Sequence, residues 1–125
     1  MANPYVLFNN KLMDFLEDLK GVIGHLPDYT ILVTSAKFLA QFKEKQNQEL
    51  FDRFVVQPYG PLIVARNEAF LLEEKYSNSK ADIVSLLKNV WTTMQDADKE
   101  SVWAHMHVLV VLSDRCTAYA SSSSR

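Results

Sequence analysis

His105, His107 and Cys116 are the side chains best suited to metal ligation or nucleophilic chemistry, and they share one short stretch of the chain. Residues two apart on a helix point about 200° away from each other, whereas a shared metal wants partners three or four apart. The two histidines therefore cannot ligate one ion from a single helix. Cys116 follows some three turns later with no second cysteine beside it, so it reads as a structural thiol. As a nucleophile it would need a base within hydrogen-bond reach, and the spacing of His25, His105 and His107 provides none. The carboxylate pairs Asp14 with Asp18, Glu17 with Asp18, and Glu73 with Glu74 could divide acid and base roles only if burial drove their pKa values apart. They flank Leu and Lys on polar faces and read as solvated charge. Gly21, Gly24 and Gly60 form no glycine-rich loop, and Gly60-Pro61 lacks the lysine and free N–H groups that cradle a triphosphate. The sequence thus assigns no catalytic residue, no cofactor and no metal ligand, and no small-molecule substrate is evident.

Composition narrows the function classes further. Thirteen Lys and Arg against fifteen Asp and Glu leave a net charge of −2, which gives no global field for a polyanion or an anionic membrane. Lys37, Lys43, Lys45 and Arg53 could gather near Phe42 as a nucleic-acid footprint, but Glu44 and Glu49 interrupt them. Nucleic acid is the weaker expectation as a partner, and a solubilising face the stronger. The 125 residues suit one core, and 48% apolar content with seven Phe, five Tyr and two Trp argues against disorder. A lone cysteine fits a reducing compartment. No apolar run reaches the roughly 18 residues of a membrane span, and the N-terminus lacks the pattern of a signal peptide, so an intracellular protein is expected.

These side chains must be positioned by helices. Asn3-Pro4 should open the first, with Phe8, Leu12, Phe15, Leu16, Leu19 and Ile23 on its apolar face and an end between Val22 and His25. Asp28 is the expected cap of a second helix carrying Ile31, Leu32, Ser35, Phe38, Leu39 and Phe42 on one side. The stretch Lys43 to Glu49 reads as an exposed polar connector, with Asn47 capping a short third helix that holds Leu50, Phe51, Phe54 and Val55. Pro58-Tyr59-Gly60-Pro61 predicts a sharp turn, although either proline could open the next helix. A further short helix capped by Asn67 follows, then a loop at Tyr76 to Ser79 with Ser79 and Asp82 approximating a capping box.

The clearest periodicity is Ile83, Leu86, Leu87, Val90, Trp91 and Met94, a single stripe that must face a partner. A tight link near Gln95 to Asp98 should make the next helix its antiparallel neighbour, with Trp91 and Trp103 at the same end. That last helix, Asp96 to Cys116, contains Val108, Leu109, Val110, Val111 and Leu112 in succession, which leaves no polar side over that turn and predicts a helix enclosed all round. Tyr5, Tyr29, Tyr59, Tyr76 and Tyr119 fall at element ends, where they can close the edge of a core or anchor a partner. The serine-rich tail from Ser121 is expected to be disordered.

One combination of residues carries a resemblance. Phe8-Asn9-Asn10-Lys11-Leu12 with Phe15-Leu16 and Asp18-Leu19, then Phe54-Val55-Val56 with Pro58-Tyr59, Phe70-Leu71-Leu72, Leu87 with Trp91, and Trp103 before Leu109-Val110-Val111-Leu112, resembles a group of short helical proteins. They belong to nucleocytoplasmic large DNA viruses, the algal and giant viruses among them. The likeness spans about residues 7 to 113 and consists of core aromatics and aliphatics. It implies a viral source and a site of action in an infected cell or the virion, and it transfers no functional residue.

The expectation is an all-α, compact single domain over residues 1–119, with five to seven helices around a largely buried C-terminal helix, and a disordered tail over 120–125. The function expected is that of a non-enzymatic protein-interaction or structural protein, such as a minor virion component, with a protein partner or a second copy of itself. A nucleic-acid-associated accessory protein, or a small modulator of a host or viral enzyme, is the alternative.

Overall fold

The computed structural model describes residues 3–72 and 83–123, and every regular element among these is helical. The first helix, α1 (Pro4–Ile23), starts as its chemistry requires. Asn3 is extended, its side-chain oxygen accepts the Tyr5 amide at 2.9 Å, and Pro4 takes the first helical position, where it has no N–H to leave unpaired. Gly24 caps the other end by donating its N–H to the Lys20 carbonyl, inside the expected window. Phe8, Leu12, Phe15, Leu16, Leu19 and Ile23 all point into one hydrophobic core.

The second helix, α2 (Pro27–Phe42), departs from expectation at its start. Leu26 is the cap and Pro27 opens the helix, so Asp28 lies within the first turn and makes no capping hydrogen bond. Proline's fixed φ begins the helix two residues early, and Asp28 is left to complement the dipole.

A larger correction follows. The third helix, α3 (Gln46–Phe51), a π-helical segment at Asp52–Val56 and the fourth helix, α4 (Gln57–Val64), succeed one another without a turn. Pro58-Tyr59-Gly60-Pro61 is therefore helical, with Pro58 in the first turn of α4 and Pro61 inside it. The π segment explains the tolerance. Its wider turn pairs the Gln57 N–H with the Asp52 carbonyl, so the backbone register shifts just before Pro58 and the ring avoids the clash it would make in a regular helix.

The chain does turn after Val64. Arg66 adopts a left-handed φ of 54°, with its N–H on the Ile63 carbonyl and that of Asn67 on the Leu62 carbonyl, which together form a Schellman motif. Asn67, the expected cap of α5 (Ala69–Leu72), accepts the Ala69 amide at 3.0 Å through its side chain, while the carbonyl that opens the helix, accepting from Leu71 and Leu72, is that of Glu68. The expected loop at Tyr76–Ser79, the Ser79–Asp82 box and the Glu73–Glu74 pair lie outside the described residues.

In α6 (Ile83–Val90), extended by a 3₁₀ turn at Trp91–Thr93, the whole predicted stripe from Ile83 to Met94 is buried. The helix approaches α1, α2 and α5 closely, rather than lying mainly along its successor in the chain. Trp91 and Trp103 nevertheless meet edge to face at 5.3 Å, as expected of two tryptophans at one end.

The last helix, α7 (Asp96–Ser123), runs 28 residues, past Cys116 and through the first serines of the expected disordered tail. It lies along α1 and touches α3, the π segment and α4, so the C-terminal helix is central. It is not enclosed all round. Val102, Trp103, Met106, Leu109, Val110, Ser113 and Cys116 form a buried 3.6-residue stripe, while Val108 and Val111 remain 43% and 42% exposed. The apolar run is wider than the contact surface its neighbours offer. No described helix is long and apolar enough to cross a membrane.

Candidate functional site

The residues singled out for chemistry are dispersed by the fold, with one exception. Asp18 on α1 receives both Ser101 and His105 from α7: Ser101 Oγ donates to Asp18 Oδ2 at 2.6 Å, and His105 Nε2 lies 3.0 Å from the same oxygen. The one-turn spacing of Ser101 and His105 aims both side chains at a single point across the helix pair. The Ser101 hydrogen bond holds the Asp18 carboxyl below its usual range, with His105 adding to the effect. The imidazole ring stacks on Phe15, with centroids 5.0 Å apart, and its buried Nδ1 has no hydrogen-bond partner.

A serine, a histidine and an aspartate are thus in contact, but in an order that does not activate the serine. In a hydrolytic triad histidine bridges the other two and takes the serine proton. Here aspartate is the bridge, its basicity is lowered, and the serine hydroxyl donates its hydrogen bond to the carboxylate rather than to the histidine. The cluster ties α1 to α7.

The remaining candidates separate. His107 points to solvent, away from His105, as two-residue spacing demands. Cys116 is fully buried, and burial pushes its thiol up to about 11, so no thiolate is available as a nucleophile near neutral pH. Among the described residues no group of three His, Cys, Asp or Glu side chains comes together to hold a metal. Lys45 lies 5.7 Å over the Tyr5 ring and shares a surface hollow with Arg53, Glu49 and Asp52, so the hollow is of mixed charge, although no ion pair forms among these four. Tyr5 and Tyr29 are buried core-edge residues, and burial raises both phenols. Tyr59 stacks on Phe70 at 4.7 Å, whereas Tyr119 is exposed.

The Lys43–Glu49 connector, expected to be exposed, contains two of the four buried polar side chains among the described residues. Asn47 does not cap α3, whose N-cap is Lys45. It donates instead to the Asn9 side-chain oxygen at 3.0 Å and the Ala36 carbonyl at 2.9 Å, which links α1, α2 and α3. Gln48 donates to Ser113 Oγ at 2.9 Å and so reaches α7. Asn9 closes the set by donating to the Glu44 carbonyl at 3.0 Å. Polar composition marks this segment as a loop, but each buried amide has found the partners that make burial tolerable.

Beside this network lies an apolar concavity. A cavity of about 220 Å³ is bounded by Leu12 and Leu16 of α1, Leu32 and Leu39 of α2, and Leu50 of α3. Phe54 and Val55 of the π segment and Ile83 of α6 complete the wall, with Ser35 and Asn47 as the polar contributors. A second hollow of about 200 Å³ adjoins it across Phe54 and contains Arg53, Tyr59, Val84 and Lys88. Outside the first cavity, α2 exposes Ile31, Phe38 and Phe42 at 54%, 55% and 64%, with the two phenylalanine rings 5.0 Å apart. Its Tyr29 and Ala36 alone are buried, so α2 is attached along a narrow seam.

Helical spacing places the α2 aromatics on one face, but whether that face meets the core or water depends on where α1 and α3 lie. The cavity has no sequence signature, because its walls come from five elements and its shape from an unforeseen π segment. No protein-family model, curated protein or solved structure matches the chain, which leaves the geometry above to carry its function.

Proposed function

We propose that this chain is a non-enzymatic helical interaction protein that engages another protein through the outer face of α2. The observation that carries this reading is the exposed apolar row of Ile31, Phe38 and Phe42 on a helix whose own attachment to the core is slight. Aromatic side chains of this size contribute strongly when a partner covers them, and a patch of them on a folded domain marks an interaction surface. The engagement of Ser101 with Asp18 rather than with a histidine, and the burial of Cys116, support a role that needs no covalent chemistry. In the viral setting that the core residues resemble, such a protein would serve as a minor virion component bridging larger proteins.

The test is capture of the partner by immobilised chain at about 50 and 200 mM salt, a range over which phosphate-mediated binding falls steeply. Partner protein should be retained at both concentrations and lost with Phe38→Ser/Phe42→Ser, whose thermal melting should match wild type. Capture that collapses with salt, or that the double substitution leaves unchanged, refutes the proposal.

A further inference from the structure

The two hollows that meet at Phe54 differ in character, and the difference is directional. The larger is walled almost wholly by aliphatic and aromatic side chains. The smaller holds two cations, Arg53 and Lys88, together with the Tyr59 ring, and among the described residues no carboxylate lines it. Among the described residues neither Arg53 nor Lys88 forms an ion pair, since the only pairs there are Arg66 with Glu100 and His105 with Asp18. Asp52, the carboxylate next to Arg53 in sequence, instead accepts a hydrogen bond from Gln57 at 2.8 Å. The boundary is continuous along two elements. Arg53, Phe54 and Val55 pass from one hollow to the other along the π segment, as Ile83, Val84 and Lys88 do along α6.

We infer that the paired hollows form a binding site for an amphipathic anion, an aliphatic chain ending in a carboxylate-like head. The chain lies in the larger cavity and the head between Arg53 and Lys88. Size sets the chain length: a cavity of about 150 Å³ accepts the six carbons of benzene, so 220 Å³ accommodates about nine. Burying such a chain gains the hydrophobic term, and the wall offers little to hydrogen-bond, so a polar chain would lose its water without replacement. The cations fix which end of the ligand faces which hollow. The site differs from the outer α2 face proposed above, for Phe38 and Phe42 line neither hollow, so each proposal can fail alone.

Decanoate is the direct probe, because it joins a nine-carbon tail to a carboxylate. Titration calorimetry against the full chain, below the micelle threshold, should give one saturable site for decanoate. Decanol should bind about fivefold more weakly and decyltrimethylammonium more weakly still, the size expected for loss of a solvent-facing ion pair. Arg53→Gln/Lys88→Gln should bring decanoate down to the affinity of decanol and leave decanol itself unaffected. Ser35→Trp, at the mouth of the apolar cavity, should weaken all three. Equal affinity for the three probes, absence of a saturable site, or a decanoate affinity indifferent to the double substitution would overturn the inference. Both variants alter exposed or half-buried side chains, so their melting curves should match wild type.

Discussion

Two segments of this chain exchange the environments that their compositions suggest. Val108 to Leu112 is apolar throughout, yet two of its five residues face water. Lys43 to Glu49 is polar throughout, yet Asn47 and Gln48 are buried and hydrogen-bond to three other helices between them. The contrast shows that burial belongs to a face and not to a run. A residue on α7 is covered only if α1, α3 or α4 lies beside its azimuth, and Val108 and Val111 point between none of them. A residue in the connector is covered if the helices it joins converge over it, and α1, α2 and α7 do so over Asn47 and Gln48.

Neighbouring valines on α7 sharpen this contrast most. Val110→Asp places an unpartnered carboxylate in the core and should cost about 4 kcal/mol or more, enough to unfold a domain of ordinary stability. Val111→Asp, one residue away, should stay within about 0.5 kcal/mol of wild type. Chemical denaturation of the two variants makes the comparison, and equal losses would break it.

The buried amide comes next. Asn47→Ala removes both hydrogen bonds that Asn47 donates and leaves the Asn9 oxygen without that donor, at a cost of about 2 kcal/mol or a drop of roughly 8 °C in melting temperature. Glu49→Ala in the same connector is exposed and should barely shift the melt. If both variants melt with wild type, the connector is only a loop.

The smallest effect concerns the Asp18 cluster. Its carboxyl titrates lower in the folded protein than in the unfolded chain, so the unfolded state takes up protons first as pH falls. The cluster's contribution is therefore fully present above about pH 4, the ordinary aspartate range, and is lost as pH drops through the lower folded value. Ser101→Ala removes the main cause of the depression, so stability profiles of variant and wild type should converge below pH 4 and separate above it. Parallel profiles across the whole range would show that the hydrogen bond does not tune Asp18. Since Asp18 is half exposed, the separation should be modest.

Helix positions follow from local chemistry that any stretch of chain carries with it. Asn3 and Pro4 start α1, Asn67 holds the first amide of α5, and the Ile83-to-Met94 spacing buries one side of α6, because capping and periodicity act within a turn or two. The all-helical class and the core membership of Phe8, Phe15, Trp91 and Trp103 were accessible at that level. The continuous α3–π–α4 rod through Pro58 and Pro61 was not, since local rules favour a turn there and helices from elsewhere hold the rod in place. The exposed row on α2 and the two hollows at Phe54 likewise depend on how far α1, α2, α3 and α6 stand apart. A side chain's partners within four residues can be read along the chain. Its partners across a core exist only once the helices have met.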